Sequence, residues 1–143
     1  MTEQNFENHP KMVPAYHYFT SALLLALLVW SVARLVTDFS LDRAMIVVLV
    51  IALLMALYWA RVFPLGVQDR VIRLEEQLRM ERVLPEDLKP RIPDLTTENL
   101  IALRFASDEE LPDLTRRVLA GEVTELKAIK RAVKTWRADH QRV

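Results

Sequence analysis

Long apolar runs dominate the first half of the sequence. Residues 12–33 contain no Asp, Glu, Lys or Arg, and residues 44–60 form a second run of the same kind. A helix rises about 1.5 Å per residue, so about 20 apolar residues cross the roughly 30 Å core of a bilayer. The pattern therefore predicts a polar N-terminal segment at residues 1–15 and two membrane-spanning helices at residues 16–36 and 44–63.

Two other interpretations of these runs have less support. A signal peptide has a shorter apolar core, begins closer to the start of the chain and is not followed at once by a second run. A soluble helical core would need a much larger polar shell than 143 residues provide, because both predicted helices are apolar on all sides. Membrane spanning explains both runs.

The link between the two runs, residues 37–43, is so short that the helices must be antiparallel neighbours. Ser40 can cap the second helix, and Asp42 falls in its first turn. Arg34 lies in the last turn of the first helix, where a cation interacts well with the helix dipole and can reach the headgroups. We expect Arg34 to pair with Asp38.

Aromatic and basic residues cluster where such a hairpin would meet the membrane surface. Residues 16–19 and 58–63 come together at one face, as expected for an aromatic belt. The predicted membrane-interface anchors are Tyr16, Tyr18, Tyr58, Trp59 and Arg61. Basic residues near the helix ends are more numerous on the side of the termini than on the loop side, which places both termini in the cytoplasm.

The segment after the second run is amphipathic. We expect Pro64 to end the membrane helix and residues 67–84 to form a separate helix beside the membrane. Apolar residues recur there at spacings of four, three and four, which is typical of a short coiled-coil contact. We call this set the seam: Val67, Val71, Leu74 and Leu78. Two roles of the seam remain open. It packs against the rest of its own chain, or it associates with another helix.

The last part of the chain predicts a small helical cytoplasmic domain at residues 94–143, after a proline-marked linker at 84–94. Its first helix should begin at Thr96 or Thr97. The second should start near Leu111 and end at Gly121, and the third should run from near Thr124 through Trp136. Fifty residues without metal or disulfide are marginal alone, so we expect this domain to lean on another part of the protein.

Composition removes several classes of function. The 19 basic and 19 acidic residues cancel, which argues against nucleic acid as a partner. The absence of cysteine excludes thiolate–zinc sites, iron–sulfur clusters and cysteine nucleophiles. Two glycines are too few for a phosphate-binding loop.

Few side chains suggest chemistry. Metal-binding histidines on a helix are spaced i, i+4, whereas His9 and His17 are eight apart and His140 is distant from both. Glu109 and Glu110 fit the first turn of a helix, where the dipole favours acids. Neither apolar run holds an interior charge of the kind that ion paths use. We therefore predict no catalytic, cofactor-binding or metal-binding residue and no cofactor.

Several stretches are similar to those of one protein family. They are QNFENH followed by VPAYH near the start, VQDRVIRLE and IALRFASD in the second half, and AIK with Trp136 and Asp139 near the end. The chain thus resembles a family of small bacterial membrane proteins catalogued as a domain of unknown function. The resemblance implies a bacterial inner-membrane protein with two spans. It implies no activity, substrate or cofactor.

Taken together, these features predict an all-α protein and favour a non-enzymatic, membrane-anchored interaction or scaffold module with cytoplasmic helices. The expected partners are the lipid bilayer and either another membrane protein or a second copy of the chain. The seam and Trp136 are the candidates for that contact. A homo-oligomeric pore or an accessory subunit of a membrane transporter is the alternative. An enzyme acting on lipid has the least support, because no nucleophile–base pair stands out.

Overall fold

The computed structural model describes residues 5–6 and 13–139. These residues are mostly helical and include no β-strand, as the sequence predicts. The elements in chain order are a π-helix (Ala15–Thr20), α1 (Ser21–Thr37), α2 (Leu41–Val83), a 3-10 helix (Lys89–Asp94), α3 (Thr97–Leu103), α4 (Leu111–Leu119) and α5 (Leu126–Ala132).

The described residues divide into two compact units. One lies within Met12–Pro64, and the other lies within Leu65–Val143, with Asn5 and Phe6 belonging to the second. Most of the predicted polar segment at 1–15 falls outside the described residues, as do His9 and His140.

The first unit contains two helices that are long and apolar enough to cross a membrane. Ala15–Thr37 has 23 residues, and α2 has 43. In the most apolar stretch of each helix, only 6% of the residues are buried inside the protein. An apolar helix at the core of a soluble protein would be mostly buried instead.

These two helices pack as the predicted antiparallel hairpin. Near the start of the π-helix, the Tyr16 hydroxyl donates a hydrogen bond to the carbonyl of Leu57. Ser31 and Val50 are buried within the hairpin. The hydroxyl of Ser31 donates to the carbonyl of Leu28 at 2.9 Å, so its burial leaves no unmet donor.

The turn between α1 and α2 differs from the prediction in one ion pair. The Ser40 hydroxyl accepts a hydrogen bond from the backbone N–H of Arg43 at 3.3 Å, which is the predicted cap. Asp38, however, pairs with Arg43 and not with Arg34. The reason is that Asp38 is extended, with φ −156°, and this carries its side chain off α1 toward the start of α2.

The predicted break at Pro64 is wrong, because α2 continues through it to Val83. Proline costs a helix about 3 kcal/mol and glycine about 1 kcal/mol, but neither forbids it. Ending the helix there would leave further backbone groups without intrahelical hydrogen bonds, which a continuous helix keeps. Gly66 keeps a negative φ, in accordance with a helical residue.

The second unit is built around the C-terminal end of α2. Met80 and Leu84 are buried in one apolar cluster with residues of α3, α4 and α5. The predicted linker at 84–94 belongs to this core, since Leu88 and Ile92 are buried in the same cluster. Pro90 and Pro93 lie in the 3-10 helix Lys89–Asp94, while the apolar Leu88 and Ile92 face inward. As expected of a domain of this size, the C-terminal helices pack against another element, the end of α2.

Three predicted helix ends are confirmed. Thr96 caps α3, and its side chain accepts from the backbone N–H of Asn99 at 3.1 Å. The Asn99 side chain accepts from the N–H of Thr96 at 3.0 Å in return. The next helix, α4, begins at Leu111, and Gly121 with φ 76° follows its C-terminal end.

The third helix is shorter than predicted. It ends at Ala132, and the chain beyond it runs extended beside residues 105–107. The N–H of Ser107 donates to the carbonyl of Thr135 at 3.1 Å, and the N–H of Arg137 donates to the carbonyl of Phe105 at 2.7 Å. Trp136 therefore lies in a short antiparallel bridge opposite Ala106 and not on a helix.

Candidate functional site

The part of α2 in the second unit has two contrasting faces. Ile72, Glu76 and Arg79 are buried, with exposed fractions of 6%, 5% and 6%. The seam lies on the other side and is exposed, with fractions of 63% for Val67, 48% for Val71, 59% for Leu74 and 56% for Leu78. At about 100° per residue, the seam side chains fall within roughly 60° of one another around the helix axis. The structure thus places them together on one open apolar strip.

A buried arginine joins α2 to the rest of the second unit. Nε and Nη2 of Arg79 donate to Oδ1 of Asp108 at 2.8 and 2.6 Å. Nη1 donates to Oε2 of Glu76 at 3.0 Å, and Nη2 also donates to the carbonyl of Ala106 at 2.7 Å. A buried guanidinium is tolerated only when its donors are satisfied in this way.

Two further pairs extend this network to the C-terminal segment. Oε1 of Glu76 accepts from Nη1 of Arg137 at 3.1 Å, so this carboxylate bridges two arginines. Nε of the buried Arg104 lies 3.1 Å from Oδ2 of Asp139. We call the set Glu76, Arg79, Arg104, Asp108, Arg137 and Asp139 the ion network. It fixes which side of α2 faces the domain and therefore which side faces outward.

A polar groove of about 550 Å³ runs beside this network. Its lining includes Arg79, Arg104 and Arg137, all of which are paired with carboxylates, and it extends to Glu75, Leu78 and Arg82 of α2. Since the charges of the groove are largely balanced by its own acids, it offers little net attraction for an anion. No three His, Asp or Glu side chains converge as metal ligands in the described part of the chain.

Glu110, one of the two acids that the sequence places at the start of a helix, has a structural role. The carboxylate of Glu110 accepts from the backbone N–H groups of Lys134 and Thr135, at 3.0 Å for each. It thereby holds the start of α4 to the end of the domain. His17 is also engaged locally, because its Nδ1 lies 3.1 Å from the backbone nitrogen of Val13.

The predicted contact residue Trp136 does not join the seam. Its ring packs on Phe105, with a centroid distance of 4.7 Å, and borders the apolar core of the domain. The spacing of apolar residues predicts that Trp136 lies on a helix, because nothing local in the sequence indicates the extended bridge that forms there. The ion network was also missed, although Glu76 and Arg79 share a face with the apolar Ile72 and Met80.

The predicted membrane-interface anchors lie in the first unit. Tyr18 and Tyr58 are exposed, and Trp59 is partly so and stacks on Phe63 with ring centroids 5.1 Å apart. Tyr16 is half-buried by its bond to α2, and Arg61 is half-buried on α2. Exposed rings beside an apolar helix are typical of a membrane interface.

Comparison with known proteins agrees with the resemblance seen in the sequence. No curated protein and no solved structure matches the chain. One family model matches it over residues 1–143, and that family is described as being of unknown function. The chain therefore belongs to the family of unknown function DUF6526.

Proposed function

We propose that this protein is a non-enzymatic interaction module of the bacterial inner membrane. The hairpin anchors it, and the seam on α2 binds a helix of another membrane-bound chain. The observation that carries the proposal is the exposure of all four seam side chains on a helix whose opposite face is held by its own domain. An apolar strip that the described part of the chain leaves uncovered is typical of a binding surface.

Membrane attachment is supported by the surface of the first unit. Its two helices expose apolar side chains along most of their length, a surface that is unfavourable in water and suited to lipid. The distribution of basic residues places both termini in the cytoplasm in this proposal. The seam and the domain beside it would then be cytoplasmic.

The size of the seam indicates why the anchor matters. Complete burial of a Val or Leu side chain contributes about 1.5–3 kcal/mol, so four half-exposed side chains offer roughly 4 kcal/mol per chain. Association of free molecules costs about 4–15 kcal/mol in lost freedom of motion. The seam alone would therefore bind weakly in solution. Confinement to one membrane raises the effective concentration and lowers that cost.

The test is crosslinking in native membranes followed by mass spectrometry of the captured complexes. Val71→Asp and Leu74→Asp each place a charge in the proposed contact, and we expect the crosslinked complexes to be lost because that charge would be buried unpaired. Arg73→Asp is the control, since Arg73 is exposed on α2 away from the seam; it makes a larger change of charge than either seam variant and should still leave the complexes intact.

Two results would contradict the proposal. One is capture of the same complexes, in the same amounts, by both seam variants. The other is ion flux through proteoliposomes that contain only the purified protein, which would favour the homo-oligomeric pore.

A further inference from the structure

We infer that the helix bound by the seam is the same segment of a second copy, aligned parallel and in register. This inference rests on the proposed function, since it assigns the partner of the surface proposed there. Four observations support it: the residues of the seam, the charges beside it, the attachment of α2 to the membrane hairpin, and the position of the domain.

The side chains of the seam are suited to pack against an identical seam. In heptad notation, Val71 and Leu78 occupy position a, while Val67 and Leu74 occupy position d. In a parallel pair in register, each residue meets its own copy, so layers of equal size form without a gap. β-branched Val71 at a, followed by Leu74 at d, is the combination that favours two strands over three or four, and these are the two central layers of the seam; the outer layers, Val67 at d and Leu78 at a, have the reverse order.

The charges beside the seam are complementary only in the parallel arrangement. Arg70 occupies position g and Glu75 the following e, five residues later. In a parallel pair, g of one chain faces that e of the other, so Arg70 and Glu75 would form two ion pairs related by symmetry. In an antiparallel pair, g faces g and e faces e, and Arg70 would meet Gln77 instead.

Arg70 and Glu75 are both available for such ion pairs. Both Arg70 and Glu75 are exposed, and within the described part of the chain neither forms an ion pair with another residue. By contrast, Glu76 and Arg79 on the opposite face are fully engaged in the ion network. The charges available for a partner are therefore those that flank the seam.

Chain connectivity favours the same direction. The seam follows the apolar part of α2 without a break in the helix. Two copies inserted in one membrane with the same topology carry their seams on the same side of the bilayer and leave the membrane at the same end of the seam, which favours a parallel pair.

The remaining elements of the second unit leave this pairing open. The apolar core of the domain contacts α2 through Met80, away from the seam, whereas the groove bordered by Arg137 and Asp139 reaches Glu75 and Leu78 at one edge of the seam, so both domains would lie beside the pair. At the next d position stands Glu81, which is exposed, and its copy would repel it. The contact should therefore end after Leu78, at about two heptads.

The experiment reverses the charge at position 70 in one partner and at position 75 in the other. Full-length protein is labelled with donor or acceptor dye and reconstituted in liposomes at low salt, and energy transfer reports the pair. Arg70→Glu alone and Glu75→Arg alone should each weaken self-association about tenfold, because both ion pairs become repulsions. An equal mixture of the two variants should restore transfer, since each unlike pair then faces an opposite charge.

Controls separate this effect from a change of net charge or fold. Arg73→Glu makes the same charge change off the seam and should leave energy transfer unaltered. Salt at about 1 M should reduce the difference between the variants, because exposed charges are then screened. Circular dichroism should show equal helix content in all variants, since both substituted side chains are exposed.

The outcomes distinguish the inference from the proposed function. If the mixture transfers no better than either variant alone, the parallel register is wrong. If the unmodified protein shows no self-association, yet membrane crosslinking captures a different protein that Leu74→Asp abolishes, the second copy is wrong and the interaction module stands. If neither self-association nor such a complex is found, both are wrong.

Discussion

The two faces of α2 in the second unit depart from the usual arrangement of a helix against a domain, because charged side chains lie among the apolar Ile72 and Met80 on the buried face. The buried face carries Glu76 and Arg79, whereas the open face carries the apolar seam. Charges on the inside are costly unless they are paired, and apolar side chains on the outside are unfavourable unless something covers them. The first condition is met by the ion network. The second is met only if another helix binds, and this contrast is the basis of the proposed function.

The contrast also separates stability from assembly. Substitutions on the buried face should destabilise the domain, whereas substitutions in the seam should affect only the binding of a partner. Three predictions test this division, and they are ordered by their expected effect on the free energy of unfolding of the domain.

Arg79→Ala should have the largest effect. It leaves the buried carboxylate of Glu76 with Arg137 as its only ion-pair partner and also removes the hydrogen bond to Ala106. Breaking a buried ion pair on one side costs about 3–5 kcal/mol. Hydrogen exchange of the amides in α3 to α5 should therefore speed up strongly. Protection equal to that of the unmodified protein would show that the network does not hold the domain to α2.

Met80→Ala should come next. Met80 is fully buried in the core cluster although it belongs to α2, so its truncation leaves a cavity between α2 and the domain. Such changes cost about 2–5 kcal/mol. The same exchange measurement applies, and a loss of protection confined to α2 itself would contradict the assignment of Met80 to the domain core.

Leu74→Ala should have the smallest effect on stability, within about 0.5 kcal/mol, because the side chain is exposed in the single chain. It should nevertheless weaken assembly in membranes, since a seam layer loses most of its apolar contact. A large loss of protection in the domain of this variant would mean that the seam packs against its own chain.

Local patterns in the sequence predicted much of the fold. The lack of charge in two runs indicated the hairpin, Thr96 indicated the start of α3, and the spacing of the seam indicated its common face. Each of these depends on residues within a few turns of one another. Gly121 likewise indicated the end of α4, and its φ of 76° in the structure is the left-handed conformation that favours glycine there.

The missed features depend on distant contacts. Arg79 reaches Asp108, and Glu76 reaches Arg137 61 positions away, so no local spacing reveals the ion network. The extended bridge of Trp136 with Ala106 is also set by a partner on another segment. The prediction at Pro64 failed for a different reason. Proline disfavours a helix locally, but the helical residues on both sides of Pro64 continue α2 through it.

The most direct test of the central claim is a cysteine scan along α2. The chain has no cysteine of its own, so single substitutions at each of residues 67–81 can be crosslinked in native membranes one at a time. The proposed contact predicts crosslinking that peaks at positions 67, 71, 74 and 78 and is weak at 72, 76 and 79. Equal crosslinking along the helix, or peaks on the face of Glu76, would contradict the claim that the seam is the binding surface.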